Sequence, residues 1–373
     1  HSEERIPFAS LQFKNSTVGT LSDSAGNFSF VLNAWPSDTI EVTYVGYENF
    51  YLAIDTTAEE MEVTINLERG KKSNEVVIKS KLGKGVILWR RIVKNKPFND
   101  RSRFDNYSYE LYNKLEADLN DPGNNKLIKL TILKPFKKVI NQNIDSTTEI
   151  KPVLPLYLTE TLSDYYYQRS PRKTREVVKA VKTMGFNNQS ITKMLGGMYQ
   201  NINVYKNFIP VFDKDFVSPI SDNGLAYYHY RLPDTQYIGG RRVLHLVFEP
   251  KHKGENTFIG DAWIVDSSFA VMKMNMRVPE GANLNFVERL DLIQEYQLVK
   301  DSVWFLAKDK FVADLIFLDK NRLNFVGRKT TTYRNISIND AAVDTALEKN
   351  KLREEVVVRD SAHTKTDEFW AEA

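Results

Sequence analysis

The chain has 373 residues, enough for two or three domains, and 42% of them are hydrophobic. With 51 basic against 48 acidic residues the net charge is only +3, which excludes whole-chain steering toward nucleic acid. There is no cysteine, so disulfides, thiolate nucleophiles and cysteine-ligated metals are excluded together.

The aromatic content, 12% with 18 Tyr and 21 Phe, favours a β-rich fold, because aromatic rings suit pleated half-buried surfaces. No apolar run reaches the ~18 residues that a membrane-spanning helix needs. The abrupt opening at His1-Ser2 predicts a removed targeting segment.

In chain order, residues 6–68 hold short apolar runs every eight to twelve residues, separated by turn clusters such as Asp23-Ser24-Ala25-Gly26-Asn27 and Pro36-Ser37-Asp38. This spacing predicts a small β-sandwich. Residues 69–83 read as a basic connector, with a domain boundary near residue 80. Between Gly85 and Asn95 the spacing turns helical: Val86, Trp89 and Val93 share one face, Leu88 and Ile92 another, and Pro97 ends the run. A strand from Tyr107 to Leu115, the turn Asn120-Asp121-Pro122-Gly123 and an apolar run from Leu127 to Leu133 follow.

Residues 150–210 read as mostly helical. Ser170 can cap a helix, Pro171 suits its first position, Val177, Val181 and Met184 form its stripe, and Gly185 stops it. Ile191, Met194, Leu195 and Met198 predict a second helix from Ser190. From Ala226 to Ile338 strict alternation predicts an antiparallel meander of six to eight strands, centred on Arg241 to Val278. There Leu244, Leu246 and Phe248 share a face, as do Phe258, Ala262 and Ile264, and as do Ala270, Met272, Met274, Met276 and Val278. Asp266-Ser267-Ser268 is the turn of a hairpin. The tail, residues 340–373, reads as a charged, helix-prone, exposed connector.

Two resemblances follow from particular residues. Ile6-Pro7-Phe8-Ala9-Ser10, Gly19-Thr20, Asp23 with Gly26 and Phe28, and Val45-Gly46-Tyr47 resemble the carboxypeptidase regulatory-like domain, a transthyretin-like sandwich. That module is a non-catalytic appendage, and the family's first strand is missing here. The segments 154–173, 204–220, 257–276, 283–304 and 367–370 are similar to a Bacteroidota family of unknown function. That resemblance implies a regulatory-like sandwich in front, an outer-membrane β-barrel behind, and a periplasmic location for this portion. At fold level only, the meander is similar to the half-barrel of lipoprotein carriers, with inserted helices as a plug.

Three groups of residues are candidates for function. Met272, Met274 and Met276 on one strand face would line an apolar cavity for a lipid; the competing reading is core filling. Tyr165, Tyr166, Tyr167, Arg169, Arg172, Lys173 and Arg175 would make a surface for an anion or an acidic partner; the competing reading is a solvated helix face. Catalytic motifs are wanting: there is no nucleophile elbow, zinc-protease helix, P-loop or dinucleotide fingerprint. His245 reads as structural, Glu160 and Asp164 as an ordinary acidic pair, and Asp118 to Gly123 as a turn rather than a calcium loop.

The expected fold is mainly β with α+β character: an N-terminal β-sandwich over residues 1–80, then a curved antiparallel sheet covered by inserted helices over 81–339, then a helical connector over 340–373. The expected function is a non-catalytic periplasmic scaffold of an outer-membrane protein. The alternatives are a lipid or lipoprotein carrier and an unrecognised hydrolase. No cofactor and no nucleic acid are expected. The expected partners are an envelope protein or lipid and, through the resemblance, the protein's own barrel.

Overall fold

The computed structural model describes the chain apart from residues 1–4, 73–82, 121–152, 186–201, 317–323, 349–352 and 371–373 and gaps of one or two residues elsewhere. The N-terminal region forms a four-stranded sheet of β1 (Ser10–Phe13), β2 (Gly19–Leu21), β3 (Thr39–Thr43) and β4 (Phe50–Ala53), in the order β2-β1-β3-β4. Its core is Leu11, Phe13, Ile40 and Val42, with Phe30 and Trp35 edge-on to Phe13.

Among the described residues, the remaining strands, apart from one hairpin, join a single open, curved sheet of thirteen strands. It begins with β5 (Lys71–Lys72), β6 (Asn106–Asn120), β7 (Val153–Gln168) and β8 (Lys173–Gly185). The hairpin β9 (Phe208–Val211) and β10 (Lys214–Val217) stands apart. The expected meander is β11 (Tyr228–Arg231), β12 (Thr235–Ile238), β13 (Arg241–Pro250), β14 (Ile259–Val265), β15 (Val271–Arg277), β16 (Val287–Lys300), β17 (Val303–Ile316) and β18 (Asn324–Ile338). Strand β18 pairs with β6, which continues through β7 and β8 to the edge strand β19 (Glu354–Val358). Among the described residues every strand pairing is antiparallel except β19 on β8.

One face of this sheet, the inner face, carries the main core. Leu246, Ala262, Met274, Met276, Leu292 and Phe311 are at most 1% exposed. Helix α1 (Lys84–Asn99) and residues 202–227, including the short helix α2 (Gly224–Tyr227), cover them. Leu88, Trp89 and Ile92 are the buried apolar side chains of α1; Pro97 lies within its last turn, and Asp100 N–H still reaches Lys96 O at 2.8 Å. Gly85 allows the docking, because a Cβ there would lie 2.5 Å from the Tyr230 carbonyl on β11.

The outer face meets the N-terminal four-stranded sheet. Leu21 packs against Val243, Trp263, Ile293 and Val312. Lys308 Nζ donates to Ser10 Oγ and Gln12 Oε1 at 3.1 Å, and Lys273 Nζ donates to Tyr44 O at 3.4 Å.

Three expectations are corrected. Residues 150–210 are not mostly helical where they are described: 153–168 and 173–185 are strands, and Ser170-Pro171 lies in the turn that joins β7 to β8. Thr174, Val177, Val178, Val181 and Thr183 are β-branched, and twelve residues of β7 pair along β8, so tertiary pairing overrides the helical spacing. The tail is not an exposed connector: α3 (Ala341–Glu348) buries Val343 and Leu347, β19 joins the sheet, and Trp370 is buried with Tyr112, Leu162 and Ala180. The methionines do not share a face. Ile264 pairs with Val271 and Trp263 with Lys273, so Met272 is the extra residue of a bulge and joins the outer-face cluster, whereas Met274 and Met276 point inward. The helix expected from Ser190 and the run Leu127 to Leu133 lie outside the described residues.

Candidate functional site

The inner face changes character along one row of paired residues. Ala262 pairs with Met274, Met274 with Gln294, Gln294 with Asp309, Asp309 with Thr331, and Thr331 with Asn113. The row is apolar as far as β15 and polar from β16 onward. Cross-strand neighbours on one face are within hydrogen-bonding reach. Gln294 Nε2 accordingly donates to Asp309 Oδ1 at 3.0 Å and to Ile202 O at 3.2 Å. Tyr296 OH donates to Gln294 Oε1 at 2.9 Å, and Thr331 Oγ1 to Asn113 Oδ1 at 2.6 Å.

Charges are sealed into this seam. Burial pushes the Asp309 carboxyl above the usual carboxylate range, against the attraction of Lys329. Burial likewise lowers the Lys329 ammonium, while Asp309 and Glu176 oppose the change. Glu176 accepts a 2.7 Å hydrogen bond from Ser163 Oγ on the neighbouring strand. Ser163 is wholly buried, so its hydroxyl is a strut and not an accessible nucleophile.

A tyrosine basin adjoins the seam. Tyr107 stacks on Tyr167 at 4.5 Å and Tyr109 on Tyr165 at 4.9 Å, each a directly paired residue across β6 and β7. Tyr333 and Phe305 meet Tyr109 edge-on at 5.0 and 6.0 Å. Burial raises the phenols of Tyr107, Tyr109 and Tyr333, so all stay neutral. The half-buried Arg101, on a single 3-10 turn after α1, brings its guanidinium among these rings. At the rim is a recess of about 240 Å³, open solvent included, lined by Arg101, Tyr205, Tyr296, Trp304 and Phe305.

The residues singled out in the sequence are scattered by this geometry. Tyr165 and Tyr167 enter the basin, whereas Tyr166 pairs with Arg175 on the other side of the strand. Arg169 is tied to Asp105 and donates to Arg103 O at 3.0 Å. Arg175 donates to Ala346 O at 2.9 Å and lies 3.3 Å from Glu355. Lys179 bridges Glu110 and Asp164 at 2.7 Å each. Arg172 is exposed and Lys173 half-buried at the hairpin turn. Most of the expected anion surface is thus consumed by internal contacts. Glu160 accepts from Tyr112 OH, and Asp118 is paired with Arg328. His245 stacks on Trp263 at 4.5 Å with Asp234 and Asp261 each 3.2 Å from its ring nitrogens, a structural role. Among the described residues no cluster suits a metal ion.

Sequence reasoning missed Gln294, Asp309, Lys329 and Thr331. Their signal was present as polar residues at the inward positions of alternating strands, but it becomes visible only when register is known.

Residues 88–336 match a family of unknown function, DUF5686, and residues 1–78 match the CarboxypepD_reg-like domain. No curated protein matches the chain. Among solved structures, a DUF1329 family protein from Desulfovibrio piger is 10% identical, covering 69% of this chain and 94% of its own, with a TM-score of 0.28. A putative outer membrane lipoprotein-sorting protein domain from Vibrio parahaemolyticus is 10% identical, covering 70% and 98%, with a TM-score of 0.26. A LolA superfamily protein from Nitrosomonas europaea is 8% identical, covering 67% and 93%, with a TM-score of 0.25.

Proposed function

We propose that this chain, which belongs to the DUF5686 family of unknown function, acts as a non-catalytic scaffold, an interaction module on the periplasmic side of an outer-membrane protein. The observation that carries this reading is the filled inner face. Met274 and Met276 are 0% exposed beneath α1 and residues 202–227, where a carrier would need an open apolar chamber. The recess beside Trp304 is too small for an acyl chain, and its lining is mixed polar and aromatic. The buried seam supports the same reading. Gln294, Tyr296, Thr331 and Ser163 spend their hydrogen bonds on one another and on neighbouring strands, so they brace the sheet rather than converge on a cleft.

The test is native mass spectrometry, with lipid extraction, on the protein purified from a cell envelope, together with titration of an apolar fluorescent probe. The expected result is an apo mass and no probe binding. A stoichiometric lipid that is lost in Met274→Asp would replace the scaffold by the carrier. Fractionation of the envelope checks the proposed location.

A further inference from the structure

The outward face of α1 is the least explained surface of the molecule. The helix KGVILWRRIVKNKPFN carries five basic residues and no acidic one. Lys96 is buried and neutralised by Asp222 at 2.9 Å. Arg90, Arg91 and Lys94 stand exposed at spacing i, i+1 and i+4, a single helical face. Among the described residues no carboxylate pairs with Arg90 or Lys94, and Arg91 lies 5.6 Å over the ring of Phe269. The helix dipole favours cations only in its last turn, so it does not explain Arg90 and Arg91 in mid-helix.

Two exposed phenylalanines lie near the end of α1: Phe98, one turn beyond Lys94 on the same helical face, and Phe208 at the start of β9. Phe98 is 66% exposed and Phe208 is 57% exposed. Phe98 is two residues from Lys96 and Phe208 follows Asn207, and Lys96 Nζ donates to Asn207 Oδ1 at 2.9 Å, so the rings are carried by adjoining segments. Neither ring belongs to the core, and leaving two such rings in water costs hydrophobic free energy that the fold itself does not recover.

We propose that this face docks on an anionic lipid bilayer, with Arg90, Arg91 and Lys94 on the headgroups and Phe98 and Phe208 at the headgroup–acyl boundary. The charge of the helix face is complementary to anionic headgroups, and a cationic face bordered by aromatic rings is the arrangement of an interfacial helix. An acidic protein would use the cations but leave the two rings unexplained. The inner half of α1 remains in the core throughout, so docking needs no unfolding. The surface stands independently of the scaffold reading, since it asks nothing of the inner face.

The experiment is co-sedimentation of the whole chain with vesicles of phosphatidylcholine, with and without phosphatidylglycerol. Binding is expected only with phosphatidylglycerol and weakens as salt screens the charges. The variant Arg90→Glu/Arg91→Glu/Lys94→Glu should lower the partition constant at least about tenfold, with unchanged thermal unfolding because the side chains are exposed. Phe98→Ser/Phe208→Ser should weaken binding even in low salt. Arg172→Glu/Lys173→Glu, at the junction of the β7–β8 turn with β8, should leave it intact. Absence of vesicle binding, equal binding to neutral vesicles, or loss only in the turn variant overturns the proposal. Binding to soluble polyaspartate without binding to vesicles reassigns the face to an acidic protein.

Discussion

Glu295 Oε1 and Lys310 Nζ face each other at 3.6 Å on the outer face of the large sheet, under the N-terminal sheet. The separation is too long for a hydrogen bond, so the attraction is coulombic. Burial raises the Glu295 carboxyl, but Lys310, Lys273 and Lys308 outweigh it and hold it at about 2. For Lys310, burial lowers the ammonium to about 8 despite Glu295. One carboxylate therefore balances three ammonium groups at the junction of the two sheets.

Replacing that carboxylate leaves mutual repulsion in a dry site. Glu295→Gln is expected to cost about 3 kcal/mol of unfolding free energy at neutral pH. The folded pKa lies below the unfolded one, so the stabilisation is complete above about pH 4.5 and is lost as pH falls toward about 2. Urea midpoints measured across that range should converge for wild type and variant. A difference undiminished at the acid end would show that the ion cluster is not its source.

The bulge in β15 predicts unequal methionines. Met274→Ala empties a fully buried site and should cost about 2–5 kcal/mol. Met272→Ala, on a half-buried site of the opposite face, should cost about 1 kcal/mol or less. Equal losses in denaturant titrations would argue against the register shift at Trp263 and Ile264.

The two arginines on either side of the turn between β7 and β8 should also differ. Arg169→Ala removes an exposed pair with Asp105 and is expected to cost at most about 1 kcal/mol. Arg175→Ala cuts contacts to Ala346 and Glu355 and should cost about 1–3 kcal/mol. Hydrogen exchange over residues 354–358 reads the effect directly. Faster exchange in Arg175→Ala alone is the expected pattern; the same exchange in both would remove Arg175 as the strut of the tail.

His245→Leu should leave Asp234 and Asp261 facing each other without the ring that joins them, at a cost of about 1–3 kcal/mol. Adding Asp261→Asn should recover part of the loss, because it removes one of the two stranded charges. A double variant less stable than His245→Leu would show that stacking on Trp263, not the carboxylates, fixes the histidine.

Much of the sheet was legible in its residues. Leu244, Leu246 and Phe248 do face the core, and Asp266-Ser267-Ser268 does close a hairpin, because period-two burial and turn chemistry are local. The same logic failed at Val177, Val181 and Met184. Their spacing fits a helix face, and only the long pairing with β7 makes them a strand. The candidate site was less legible. Tyr165 and Tyr167 were noticed as neighbours of basic residues, yet their partners are Tyr109 and Tyr107, more than fifty residues away.

The sequence by itself determined that this protein is β-rich, that it has a regulatory-like sandwich in front, that its meander has one apolar face, and that thiol chemistry is absent. The regulatory-like domain rests on the resemblance of residues 6–47 to that family, and the rest follows from composition and from alternation, which neighbouring residues carry between them. Only the tertiary structure decided that Met272 leaves the methionine row, that Arg175 is held by the tail, and that Asp309 and Lys329 are sealed into one seam. Each depends on how strands meet: Met272 on the shifted register of β14 and β15, and the seam on pairings such as Thr331 against Asn113, separated by 218 residues. A shift of one residue would turn every one of these side chains to the other face.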